Sequence, residues 1–227
     1  MFWNQEEETP APYQVPDDVF DLVFRLRGTN LDIDHAFALS TALQAHLSDE
    51  LCARIGVHGV RMAGSGNGWN RPEQSDAALP LSRRARLAIR VRRDDSEEVG
   101  QIMNRTLQIG HQEVTLGSSV MRKLSTIGTL YARAICCDRE QSETDFLTEM
   151  AALLKQMNIK VSKMICGRCG EIRTADETIF TRALMVADLE AEESVVLQQQ
   201  GLGQGRMLGC GLFVPHKGID PVFDIQE

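Results

Sequence analysis

The order in which strand-period and helix-period hydrophobic patterns follow one another constrains this chain more than any other feature. Residues 19–27 (VFDLVFRLR) alternate and are rich in β-formers, which predicts a strand. Gly28-Thr29-Asn30 breaks it, and Asp34 stands at an N-cap position ahead of HAFALSTALQAHL. There Phe37, Leu39, Ala42, Leu43 and Leu47 fall at helical spacing. Residues 55–62 predict a short strand entering a glycine-rich turn. Residues 84–92 predict a strand, 94–104 a helix and 106–116 a closing strand. This β-α-β-β-α-β order is the ferredoxin-like arrangement. The order recurs: strand 130–137, helix 142–157 with Phe146, Met150, Leu153, Leu154 and Met157 on one face, strands 161–172 and 179–186, and helix 190–200. The expected fold is therefore α+β, with two tandem ferredoxin-like halves. Residues 1–18 read as a loosely attached acidic tail, 19–117 as the first half, 118–129 as a connector, and 130–227 as the second half with its glycine-rich loop.

A chain of 227 residues can bury a core of useful size without disulfide or metal staples. It has no run of 18 apolar residues, which argues against a transmembrane helix. The acidic, proline-containing start lacks the basic and apolar regions of a signal peptide. A cytoplasmic protein with six reduced cysteines is the expectation. Only Cys166 and Cys169 form a C-x-x-C, and one such knuckle falls short of the four ligands of a structural zinc site; no metal is expected. The net charge of -8 argues against a polyanionic partner until its distribution is considered. Residues 1–50 hold 10 acids and 2 bases, whereas residues 51–93 hold nine arginines and two acids.

Three constellations carry chemistry. The run GLGQGRMLGCGLF has glycines at 201, 203, 205, 209 and 211 around Arg206. It is neither a Walker A loop nor a dinucleotide fingerprint, since no Gly-Lys-Ser/Thr follows and it leads into a strand. Such glycines present backbone N–H groups to an anion, or simply allow a tight, packed loop. Arg83, Arg84, Arg86, Arg90, Arg92 and Arg93 follow one another without an intervening acid. Alternation puts Arg84, Arg86, Arg90 and Arg92 on one face of a strand, either to fork onto phosphates or to form a solvated, acid-paired face. Histidines stand at 35, 46, 58, 111 and 216; each is a candidate base near neutral pH, and each alone also suits a structural role. Aromatics are 5% and no RNP strand signature occurs, so base stacking is not expected to dominate any RNA binding.

Two ferredoxin-like halves closed by a glycine-rich loop resemble the repeat-processing endoribonucleases of CRISPR systems, the Cas-six family. The ending GLGQGRMLGCGLFVPHKG is similar to that family's glycine-rich signature. The segments VFRLRGTNLDIDHAFAL, GVHGVRMAGSGNGW and LPLSRRARLAIRV are similar to its MYXAN subtype, and the resemblance spans residues 19–218. It implies metal-independent cleavage of precursor CRISPR RNA within each repeat. A ribose 2′-hydroxyl attacks the adjacent phosphate and leaves a 2′,3′-cyclic phosphate. The resemblance also implies a histidine within or just after the first helix as base, with His58 favoured and His46 second. His35 matches a family position at the helix start that reads as structural. Arg83, Arg84, Arg86, Arg90, Arg92 and Arg93 would hold the repeat stem, with Gly203, Gly205, Arg206 and Lys217 packed near or touching the RNA. No cofactor is implied. The implied partners are the repeat RNA, the 3′ hairpin of the guide RNA and other subunits of a Cascade-type effector complex, with no membrane. No lysine precedes Lys123, so any cationic partner in the first half must be arginine. The competing readings are an inactive relative that only caps the guide-RNA hairpin, and an unrelated ferredoxin-like metabolic enzyme.

Overall fold

The computed structural model describes residues 13–60 and 78–216. The first half runs β1 (Val19–Arg27), β2 (Asn30–Asp32), α1 (Ala36–Gln44), α2 (Asp49–Arg54), β3 (Gly56–Val57), β4 (Ala78–Pro80), β5 (Arg86–Arg92), α3 (Ser96–Gly100), β6 (Thr106–Ile109) and β7 (Gln112–Lys123). The second half runs β8 (Leu130–Cys136), α4 (Glu143–Gln156), β9 (Lys163–Arg173), β10 (Thr178–Ala187), α5 (Ala191–Gln200) and β11 (Phe213–Pro215). The strands form a five-stranded sheet in the order β3-β5-β1-β7-β6 and a four-stranded sheet in the order β11-β8-β10-β9, with β2 and β4 paired separately. Every pairing is antiparallel. With β6 set aside, each large sheet has its fourth strand beside its first, then the third, then the second. These are two ferredoxin-like halves in tandem.

Each half has its own apolar core. Phe20, Phe24 and Leu26 of β1 and Leu87, Ile89 and Val91 of β5 meet Leu39 and Leu43 of α1 on one side of the first sheet. In the second half Phe146, Met150 and Leu154, four residues apart along α4, lie against Leu184 and Val186 of β10. Ser142 caps α4 by accepting a hydrogen bond from the Asp145 amide at 3.1 Å, and Glu190 and Glu193 close a reciprocal capping box on α5.

Several boundaries differ from the sequence expectation. The predicted helix over 35–47 stops at Gln44, because Ser48 begins a second helix, its hydroxyl accepting from the Leu51 amide at 3.3 Å. The predicted strand over 106–116 is a hairpin that turns at Gly110 (φ 59°) and His111. β7 then continues through six residues of the expected connector, 118–123, because Phe20 to Phe24 of β1 remain available to pair with it. The rest of the connector is tied to α5: Gln198 Nε2 donates to the Ser125 carbonyl at 2.6 Å and Ser194 Oγ to that of Ile127 at 2.7 Å. The end of the expected loose tail is also anchored, since the Arg93 amide donates to the Asp18 carbonyl at 2.7 Å. Residues 1–12 of that tail lie outside the described residues. Among the described residues, no helix is long and apolar enough to cross a membrane.

Candidate active site at the junction of the halves

β1 lies between β5 and β7, and the pairing places Asp21 opposite Arg90 on one side and opposite Arg122 on the other. Alternation turns Phe20 and Phe24 toward the first-half core, so Asp21 emerges on the opposite face, where the second half packs. Asp21 is 3% exposed and Arg90 1%. Arg90 Nε donates to Asp21 Oδ1 at 2.9 Å and its Nη2 to Oδ2 at 3.3 Å. Its Nη1 donates across the junction to the carbonyls of Gln198 (2.7 Å) on α5 and Phe213 (2.9 Å) on β11. Arg122 Nη2 donates to Asp21 Oδ2 at 2.9 Å, while 58% of the Arg122 side chain remains in solvent.

His58 follows β3 and continues its pairing, its amide donating to the Ala88 carbonyl at 2.9 Å. That path brings Nε2 to 3.4 Å from Asp21 Oδ1. Nε2 is sealed from solvent and lacks any closer partner, although 14% of the side chain is exposed. Burial pushes the His58 pKa below the ordinary histidine value; Asp21 opposes this, and the charges of Arg90 and Arg122 add to it. Burial alone would raise the Asp21 pKa, but His58 and Arg90 overcome it and hold the carboxyl well below the usual carboxylate range.

The glycine loop sits against this cluster. Its five glycines have φ between 69° and 83°, the left-handed region. The Leu202 amide donates to the Gly211 carbonyl at 3.0 Å and the Gly211 amide to that of Ala134 at 2.8 Å, so the loop closes on itself and on β8. A Cβ at Gly209 would lie 3.2 Å from the Val57 carbonyl, and Met207 packs on the first-half core. The loop thus presses on β3 one residue before His58. Arg206 donates to the carbonyls of Gln199 and Gln200 at the end of α5, a cation placed where the helix dipole is negative. Gly203 and Gly205 belong to the same packed turn, with Gly205 against Cys136 and Cys210.

The other sequence candidates separate. Arg90 departs most from expectation: it is not a cation on an open face, because the second half covers that face and takes the guanidinium with its carbonyls. Arg86 Nη1 is turned back onto the carbonyls of Arg83 (3.1 Å) and Ala85 (2.7 Å). Arg83, Arg84 and Arg92 are exposed, and Arg93, also exposed, pairs with Asp17. His35 is buried, with Nδ1 donating to the Asp32 carbonyl at 2.8 Å and Nε2 accepting from the Val60 amide at 3.1 Å, so both ring nitrogens are occupied. His46 and His111 lie exposed in turns, and His216 is exposed beside the Tyr131 ring. Lys217 lies outside the described residues. Among the described residues no three or more His, Cys, Asp or Glu side chains gather as a metal site, and Cys166 and Cys169 stand along β9. Asp21 and Arg122 were missed from sequence; Asp21 is the one acid in the alternating segment VFDLVFRLR, a signal that could have marked it, whereas Arg122 lies beside Lys123 in the stretch read as a connector.

A model of the Cas6 CRISPR family matches residues 20–218. The chain belongs to the Cas6 CRISPR family. Within that family it is similar to the CRISPR-associated endonuclease Cas6 of Myxococcus xanthus, with 26% identity over 195 residues that cover 86% of this chain and 80% of the relative. Its fold is similar to that of a solved CRISPR-associated Cas6 protein, with a TM-score of 0.63, 10% identity, and coverage of 88% of this chain and 100% of the other. It is also similar to a RAMP protein that binds different RNA substrates, with a TM-score of 0.58, 10% identity, and coverage of 86% and 98%. The Cas6 match takes in the whole of the Asp21–His58–Arg90–Arg122 cluster and the glycine loop.

Proposed function

We propose that this protein is an endoribonuclease that cleaves CRISPR precursor RNA within its repeats, without a metal ion, and stays on the guide-RNA hairpin as a subunit of an effector complex. The observation that carries this reading is a histidine held against a buried carboxylate, beside a half-exposed arginine, in a chain of the Cas6 family. The reaction needs a base for the 2′-hydroxyl, positive charge at the phosphate and a proton for the leaving 5′-oxygen. His58, kept neutral at pH 7 by its lowered pKa, suits the first task. Arg122 suits the second: Asp21 fixes one end of its guanidinium, and more than half of the side chain stays in solvent. In the step itself the 2′-oxygen bonds to phosphorus as its proton passes to His58. The bond from phosphorus to the 5′-oxygen breaks, and that oxygen takes up a proton, leaving a 2′,3′-cyclic phosphate and a 5′-hydroxyl. Exposed Arg83, Arg84 and Arg92 offer the forked donors that would follow the repeat backbone.

The test is incubation of the protein with a repeat RNA in EDTA, with a matched RNA that carries a 2′-deoxyribose before the cleaved phosphate. Cleavage of the first to a cyclic-phosphate end, and none of the second, is expected. Tight binding without cleavage of either would replace this reading with that of a guide-RNA-capping subunit.

A further inference from the structure

Asp21 has two oxygens and three cationic or proton-bearing neighbours, and the arrangement is asymmetric. Oδ2 is engaged by Arg90 Nη2 and Arg122 Nη2, and Oδ1 by Arg90 Nε at 2.9 Å with His58 Nε2 at 3.4 Å. Arg90 is in turn fixed by two carbonyls of the second half, so the carboxylate cannot swing away from the histidine. An ionised carboxylate only accepts hydrogen bonds. The imidazole nitrogen that faces it must therefore carry the proton, and in a neutral ring the other nitrogen then has none. A separation of 3.4 Å is longer than a relaxed N–H···O bond, and such contacts in a resting site shorten when substrate closes on it. Because Nε2 is sealed, the ring meets solvent through its other atoms.

On the reading that His58 is the general base, we propose that Asp21 is a positioning residue that fixes the His58 proton on Nε2, so that Nδ1 is the nitrogen that accepts the 2′-hydroxyl proton. The same carboxylate sets the heads of His58 and Arg122 at a fixed separation, with base and cation hung from opposite oxygens of one buried group. When Nδ1 takes the proton, the imidazolium forms beside an anion that is already ionised, and no second proton transfer is needed. The charged groups facing the ring are Asp21 of β1, Arg90 of β5 and Arg122 of β7. Burial lowers the His58 pKa against the opposing carboxylate, with Arg90 and Arg122 adding to it, and this puts the acid limb of the cleavage profile below pH 6.5, the ordinary histidine value.

Two measurements test this on the full chain. The first is the ¹⁵N–¹H long-range correlation spectrum of the histidine-labelled protein at pH 7.5, with His58→Gln to assign the signals. The Nε2–H tautomer is expected for His58, and the Nδ1–H tautomer would overturn the proposal without touching the general-base reading. The second is Asp21→Asn, whose amide can donate to Nε2 and so force the wrong tautomer. A loss of at least 100-fold in single-turnover cleavage rate with RNA affinity changed less than threefold is expected, and Asp21→Glu should recover part of it. A folded Asp21→Asn protein that cleaves within a few-fold of wild type would also overturn the proposal. Full-rate cleavage by His58→Ala takes down the general-base reading itself, and the proposal with it.

Discussion

Arg90 Nη1 donates to the Phe213 carbonyl at 2.9 Å, so a side chain from the centre of the first sheet satisfies the backbone of the last strand of the second. Removal of this side chain leaves the buried Asp21 carboxylate with only Arg122 and His58 beside it and takes a donor from the carbonyls of Gln198 and Phe213. Loss of one member of a buried pair costs about 3–5 kcal/mol. Arg90→Gln is expected to lower stability by about 3 kcal/mol, read as a shift of the urea midpoint at constant slope. A midpoint within experimental error of wild type would show that the junction does not depend on this group.

The exposed arginines should behave differently. A phosphate contact contributes about one unit to the slope of log K against log salt. Arg84→Ala is expected to reduce that slope for repeat RNA by about one while leaving the urea midpoint unchanged. Should the slope stay fixed, the RNA runs elsewhere.

His35 links pH to stability. Burial lowers its pKa, so the unfolded chain takes up a proton at a pH where the folded chain does not. Its contribution is complete above about pH 6.5 and is lost as the pH falls from there through the lower folded value. His58 shifts in the same direction and adds to the loss. His35→Ala leaves the Val60 amide and the Asp32 carbonyl without partners, an expected cost of about 1–3 kcal/mol at pH 8. The acid decline of the variant should be shallower than that of wild type in a pH series of urea melts. A parallel decline would mean that His35 is not one of the titrating groups.

Two glycines of the C-terminal loop separate backbone strain from packing. Gly203 and Gly211 share a left-handed φ, 74° and 69°. A Cβ at Gly203 meets nothing nearer than 3.7 Å, whereas at Gly211 it would fall 2.1 Å from the Leu202 carbonyl oxygen. Gly203→Ala should cost only the left-handed penalty, about 1–2 kcal/mol. Gly211→Ala should cost several kcal/mol more, or prevent folding. Similar thermal midpoints for the two variants would contradict this packing.

Strand and helix order was legible because each period is written locally: VFDLVFRLR and RLAIRVR alternate, and Phe146, Met150 and Leu154 recur every four residues. The apolar faces of β1 and β5 followed from the same alternation. The fate of the opposite face did not. An arginine on a strand reads the same whether water or a second domain lies over it, so Arg90 read as a phosphate contact. Asp21 drew no attention for the same reason, because its partners stand 37, 69 and 101 positions away in the chain. The hairpin at Gly110-His111 could have been found from its glycine between two alternating runs, and the break after Gln44 from the capping serine at 48.

The row Arg90–Asp21–Arg122 also decides how the first sheet can be assembled. Asp21 and its two partners share one face of the sheet and the apolar residues of β1 and β5 the other, so a slip of β1 by one residue sends the carboxylate to the oily side and leaves the two guanidiniums without it. Side chains of similar size, such as the Val, Ile and Leu that flank the row, would tolerate such an error far better. The charges work as a key cut for a single alignment, and the final register of the first sheet is the one that fits it.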